Sequence, residues 1–294
     1  MTEILQTAIN ATSSGGFYAL VAIGVALIFS IMRMVNFAHG ELIMAGGYLL
    51  LVLAGVPLLL AVLIMILAVV LLAVIIERVA IRPVRGANPA TLMITSYAIS
   101  YLMQNLVLLT VGGEPRSVAV SRHLLKPIEI GSLNVRLIDL ITIATAILMI
   151  GGLSVLSRRS LGGQQMRAAA QDFTMARLCG VRADRIVAVT FGVSGFLAAI
   201  AAVLLVAQTG VLNTTMGQTP VLLAFVATVL GGMGSLSGAA VGGFLLGAAT
   251  ILLQTYLPRE VADYRDAILF SLVIAVLLVR PNGLIAGRAP VTRV

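Results

Sequence analysis

Between Arg185 and Arg259 the chain runs for 73 residues without one charged side chain. A helix needs about 20 apolar residues to cross the hydrocarbon core of a bilayer. Inside that core every backbone polar group must be satisfied within the protein. The stretch therefore reads as three helical passes. They are broken near Gly210–Thr219 and at Gly231-Gly232-Met233-Gly234-Ser235, where glycine and small polar residues interrupt the apolar run.

Charges mark where the other runs must stop. Residues 4–32 hold one generous span. The uncharged stretch 42–76 is too long for one span and tight for two, with Gly55-Val56-Pro57 as its turn, so its first piece, Leu42 to Ala54, is short. Residues 91–111 and 140–157 form further spans, and a last run, 267–279, takes Arg265 and Asp266 to its beginning. The expected fold class is all-α integral membrane: a polytopic bundle of about eight transmembrane helices with broken or re-entrant segments, one transmembrane domain over 1–294. Counting the piece before Gly231 separately makes nine segments, and whether 220–257 crosses twice or re-enters stays open. Only 10% of residues are charged, against about 25% in soluble domains, so this chain cannot wet its own surface.

The net charge of +8 would suggest nucleic acid in a soluble protein, but these arginines sit in short gaps between spans. They set orientation instead. Loop 77–90 holds Arg78, Arg82 and Arg85; loop 158–185 holds six arginines against Asp172 and Asp184; the tail adds Arg280, Arg288 and Arg293. Placing all three in the cytoplasm leaves the N-terminus and loop 112–136 in the periplasm. That loop, with Arg116, Arg122, Lys126 and Arg136, is the exception to the rule. No basic n-region or cleavage site precedes the first run, which is expected to stay as a helix.

Interrupted spans in the two halves of a transporter are the best sequence pointers to its pathway. The first is Asn36-Phe37-Ala38-His39-Gly40-Glu41; the second is Gly231 to Ala239, with Gly231, Gly232 and Gly234. The first is also compatible with a wet interfacial loop, and the second with close helix packing. In loop 158–185, Met166, Ala169, Ala170, Phe173, Met175 and Ala176 keep helical spacing, rimmed by Arg167 and Arg177 and closed by Gly180. Such an amphipathic helix suits a cytosolic partner's groove or an anionic lipid surface.

Several chemistries lack their residues. No P-loop, His-Glu-x-x-His or Gly-x-Ser-x-Gly occurs, the single cysteine Cys179 excludes an intrachain disulfide, and His39 and His123 lie on opposite expected sides. No catalytic, cofactor-binding or metal-binding residues are expected. Asn88-Pro89-Ala90 matches the water-channel tripeptide, but one copy before a full span is explained by an asparagine N-cap with proline at the first helical position.

Asn36 to Glu41, followed by Met44 and Gly46-Gly47-Tyr48, resembles the signature region of the branched-chain amino-acid ABC transporter permeases. So do Glu77-Arg78 with Arg82-Pro83-Val84-Arg85-Gly86, the segment Gly162 to Gly180, Phe225-Val226-Ala227 with the second glycine cluster, and the close Val279 to Leu284. The likeness runs in order over about residues 8–287, at the length of the shorter, H-type permease. Ser30 and Gly163 depart from the pattern.

The resemblance implies an ABC importer permease in a bacterial inner membrane, carrying branched-chain or related neutral amino acids and working without a cofactor of its own. Its implied partners are a second homologous permease subunit, two cytosolic ATPase subunits and a periplasmic substrate-binding protein. It implies that Asn36, His39, Gly40, Glu41, Gly231, Gly232 and Gly234 belong to the translocation pathway or gate. It implies equally that Met166, Arg167, Ala170, Phe173, Arg177 and Gly180 belong to an ATPase-coupling helix in loop 158–185. Amide or urea cargo within the same family remains an alternative. So do an ion-coupled secondary transporter, which needs intramembrane acids or histidines such as Glu41 and His39, and a passive channel.

Overall fold

The computed structural model describes residues 2–118, 127–130 and 133–285. Arg122, His123, Lys126, Arg288 and Arg293 lie outside the described residues, as does the side chain of Glu129. The helices in chain order are α1 (Thr2–Met32), α2 (Ala38–Val52), α3 (Leu58–Ile76), α4 (Pro89–Val111), α5 (Leu137–Arg159), α6 (Leu161–Gln171), α7 (Phe173–Leu178), α8 (Ala183–Thr209), α9 (Gln218–Gly231), α10 (Leu236–Tyr256) and α11 (Arg265–Val279). Six runs (α1, α3 with the turns that extend it to Val84, α4, α5, α8 and α10) are long and apolar enough to cross a membrane, and α2 and α9 are shorter apolar helices. With α11 these make nine apolar segments, as the charge boundaries lead one to expect.

Several helix starts are fixed by local side chains. Asn88 accepts from the Ala90 N–H at 3.1 Å at the start of α4, with Pro89 at the first position. That geometry leaves Asn88-Pro89-Ala90 with a capping role. Ser235 caps α10 through the Gly238 N–H and Ser160 caps α6 through the Gly163 N–H. Past Ile76 the α3 helix widens into a π-helical stretch over Glu77–Ile81, a form of backbone common at functional positions.

α1 is the central helix. It packs most extensively on α10, then on α9, α8 and α5. Its closeness to α10 rests on small residues: a Cβ at Gly243 would lie 2.6 Å from the Ala19 backbone, and one at Gly247 would lie 2.6 Å from the Ser14 carbonyl. Without a hydrophobic force between helices in lipid, such close backbone approach supplies the attraction. The outer helices show the reverse pattern. Leu59, Leu67 and Leu71 on α3, Ile94, Tyr101 and Leu109 on α4, and Ile147 and Leu148 on α5 are all exposed. Apolar side chains on that surface are what a lipid-facing wall requires.

At one end, β1 (Arg116–Ser117) pairs antiparallel with β4 (Val211–Leu212), fixing loop 112–118 to the α8–α9 connection. β2 (Pro127–Ile130) and β3 (Leu133–Arg136) form a hairpin leading into α5. Arg136, one of the cations that break the orientation rule, is bonded to Asp139 at 2.9 and 3.1 Å. At the other end, Arg82 and Arg85 hold Asp184 at 2.7 and 2.8 Å. Loops 77–90 and 158–185 thus share one face, as their arginine content predicts.

Candidate translocation and coupling site

The first break is a buried polar knot. Asn36 accepts from the Ala38 N–H at 3.2 Å through its side chain and from the His39 N–H at 3.2 Å through its carbonyl, which starts α2. His39 is fully buried. Its Nδ1 lies 3.0 Å from Ser194 Oγ on α8, and that hydroxyl donates to the Gly24 carbonyl of α1 at 3.0 Å. With the serine proton committed, Nδ1 is the donor of the pair and Nε2 is left as a bare acceptor without a partner among the described residues. Glu41 is 1% exposed, and its Oε1 accepts from Ser100 Oγ and Gln104 Nε2, both at 2.7 Å. No hydrogen bond reaches its Oε2 among the described residues.

Ser96, Ser100 and Gln104 are the partners that reading the sequence missed. They recur at every fourth residue of α4, so they share one face, and Ser96 also accepts from the Phe37 N–H at 3.3 Å. A polar stripe at helical spacing inside an apolar span was the available signal.

Gly40 packs on the start of α9, away from the second break. The two breaks are not in contact. A Cβ at Gly40 would lie 2.7 Å from the Gly217 carbonyl, so α2 and α9 meet at their N-terminal ends. Gly231, Gly232 and Gly234 sit at the opposite end of α9. There Gly231 abuts the Gly238 backbone, and Gly232 turns at φ +113°. The carbonyls that α9 leaves unbonded at its end are met by the closing segment, which donates from Leu284 N–H to Leu230 (2.8 Å) and from Ile285 N–H to Gly231 (3.0 Å).

The segment expected as one amphipathic helix is two. Asp172 is extended (φ −148°, ψ 105°) and its side chain accepts from the Met175 N–H at 2.9 Å, ending α6 and capping α7. An aspartate competes with helical backbone in this way, which spacing of apolar residues cannot register. Gly180, at φ +85°, closes α7: its N–H bonds the Arg177 carbonyl, and the Val181 N–H bonds that of Ala176, both at 3.0 Å. Met166, Ala170 and Phe173 are half-buried against the protein's own core, and Arg167 is exposed and bonds the Ser157 carbonyl. The apolar side chains that face outward are Leu161, Met175 and Leu178, alongside exposed Arg177. Gly163, which departs from the family pattern, has no room for a side chain, since a Cβ there would collide with the Ser157 backbone.

This two-helix module lies beside both breaks. Arg33 Nη2 donates to the Ala170 carbonyl at 3.3 Å, and Arg33 leads directly into Asn36–Glu41 with a left-handed backbone (φ 53°) that a non-glycine residue rarely adopts. On the other side, Met166, Arg167 and Ala170 share a cavity of about 450 Å³ with Gly234, Leu236 and Ser237.

Residues 7–277 match the family described as the branched-chain amino acid transport system permease component. This chain belongs to that family. The permease is 35% identical to the high-affinity branched-chain amino acid transport system permease protein BraD of Pseudomonas aeruginosa, over 99% of this chain and 98% of that protein. It is 36% identical to the corresponding permease protein LivH of Salmonella typhimurium, over 99% and 97% of the two chains. The chain is thus a multi-pass membrane transport component whose relatives are permease subunits. Among the described residues no cluster of histidine, cysteine or acids is suited to hold a metal.

Proposed function

We propose that this chain is the transmembrane permease subunit of an ABC importer for branched-chain or related neutral amino acids. It lies in a bacterial inner membrane with its N-terminus periplasmic and its C-terminus cytoplasmic. Its partners in this reading are a second homologous permease subunit, two cytosolic ATPase subunits and a periplasmic binding protein. The observation that supports it is the seat of the α6–α7 module. One side bonds Arg33 ahead of Asn36–Glu41 and shares a cavity with the turn at Gly234, while the other presents Met175 and Leu178, exposed among the described residues.

A partner that closes on α7 can shift both breaks together, because it binds one arrangement of the module better than the other. Asn36, His39, Gly40 and Glu41 then form the gate around the Gly40–Gly217 contact, and Gly231, Gly232 and Gly234 form the pivot at the far end of α9. Met166, Ala170 and Phe173 transmit the motion inward, with Arg167, Arg177 and Gly180 fixing the module's shape. A cargo without net charge fits a passage with few fixed charges.

The test is affinity capture of the tagged protein from native membranes followed by mass spectrometry. Recovery of two P-loop ATPases and a homologous permease supports the assembly. A chain recovered alone, with uptake that follows a proton gradient through Glu41, refutes it. Within the recovered complex, Met175→Asp and Leu178→Asp should separate ATP hydrolysis from transport with membrane insertion unchanged. Met166→Asp and Phe173→Asp should also lower the protein's own stability, since they place a charge against its core.

A further inference from the structure

A second cavity, adjoining the one that the α6–α7 module lines, carries charged residues that the site above does not use. It is an open groove of about 1050 Å³ over α8, between α3 and α5, walled by Val70, Val74, Leu153, Val189, Val193 and Phe196. Its walls come from the halves of those helices that end at the arginine-rich face. There Glu77, Arg78, Arg82, Asp184 and Arg185 line its mouth. Both carboxylates are neutralised, Glu77 by Arg85 and Asp184 by Arg82 and Arg85. Arg78 and Arg185 are exposed and make no ion pair among the described residues.

We infer that this groove binds one anionic phospholipid, its acyl chains along the apolar walls and its phosphate between Arg78 and Arg185. Two observations select that occupant. The first is charge: the mouth carries two unpaired cations beside a pair of satisfied carboxylates, which suits an anion, and basic pockets between membrane helices on the cytoplasmic side are the usual sites of acidic headgroups. The second is length. From Arg185 to Phe196 along α8 is about 16 Å at about 1.5 Å per residue, which is one leaflet of a hydrocarbon core about 30 Å thick. A helix crossing the whole core would extend to about twice the length of the groove. The groove's cationic end lies where the headgroup of that leaflet would be.

The inference needs only membrane insertion and does not depend on ATPase partners, so a failed capture experiment leaves it standing. The test is native mass spectrometry of the full chain, alone and with whatever partners co-purify. The protein is exchanged into phosphatidylethanolamine with or without phosphatidylglycerol of the same acyl chains. Phosphatidylglycerol should be retained selectively, and Arg78→Gln and Arg185→Gln should each weaken retention roughly fivefold. Gly152 faces open space in the groove, so Gly152→Leu can fill it without a backbone clash and should expel the lipid. Arg159→Gln, an exposed cation outside the groove, should change nothing. A photo-reactive phosphatidylglycerol should label Val193 in the unmodified chain, which keeps the test independent of variant folding. Equal retention of the two lipids, an effect of Arg159→Gln equal to that of Arg78→Gln, or crosslinking of Val193 to a second permease in place of lipid would each overturn the assignment.

Discussion

Glu77 and Asp184 share Arg85, yet their removal should have very different consequences. The Glu77 side chain is 1% exposed and that of Arg85 15%, whereas Asp184 is 61% exposed and Arg82 49%. Glu77→Gln keeps the shape and removes the charge, leaving a nearly buried guanidinium whose Nε already lacks a partner. Breaking one side of a buried pair costs about 3–5 kcal/mol when the remaining charge is left alone; Arg85 keeps its bond to Asp184, so the loss should fall at or below the lower end of that range. Asp184→Asn breaks two contacts made largely in solvent, where each is worth about 0.2–1 kcal/mol. Replacing both buried partners together, Glu77→Leu with Arg85→Met, should restore most of the loss, since an apolar pair of similar volume no longer carries a desolvated charge. Thermal unfolding of Glu77→Gln, Asp184→Asn, the singles Glu77→Leu and Arg85→Met and their double variant, followed by circular dichroism, reads these differences directly, the last three closing a double-mutant cycle with the wild type. A loss for Asp184→Asn as large as that for Glu77→Gln, or a double variant worse than both singles, would refute the reasoning.

Three further outcomes follow from the site. Arg33→Gly removes the bond to Ala170 but also the left-handed strain, worth about 1–2 kcal/mol, so its stability should stay near wild type while Arg33→Ala loses about 1 kcal/mol. Both should lower the transport obtained per ATP in proteoliposomes, and normal coupling in Arg33→Gly would show that the guanidinium transmits nothing. Glu41→Ala should impair uptake at least tenfold more than loss of an acid in loop 112–136, Glu129 or the exposed Glu114, because it strands Ser100 and Gln104 without their acceptor. Equal uptake would return Glu41 to an incidental role. Gly217→Ala should separate α2 from α9 by forcing a Cβ into the Gly40 backbone, costing about 1–3 kcal/mol, whereas Gly86→Ala, in open space, should be silent in the same melting assay.

Much of this was legible in the sequence because lipid imposes a one-dimensional rule. Charges cannot sit at random in a span, so the gaps between Arg185 and Arg259, or around Gly55–Pro57, delimit helices without knowledge of their neighbours. Caps are equally local: Asn88, Ser160 and Ser235 each bond a backbone N–H two or three residues ahead. Pairing across the chain is not local. That Glu41 meets Ser100, 59 positions away, and that His39 meets Ser194, 155 positions away, depends on which helices lie side by side. Apolar spacing put Met166 and Phe173 on one face, but only the position of α6 and α7 against α1 and α8 turned that face inward and left Met175 and Leu178 outside. The glycine breaks tell the same story. Their composition announced two interruptions, while close backbone approach, a property of two helices at once, decided that Gly40 meets Gly217 and that Gly231 meets Gly238.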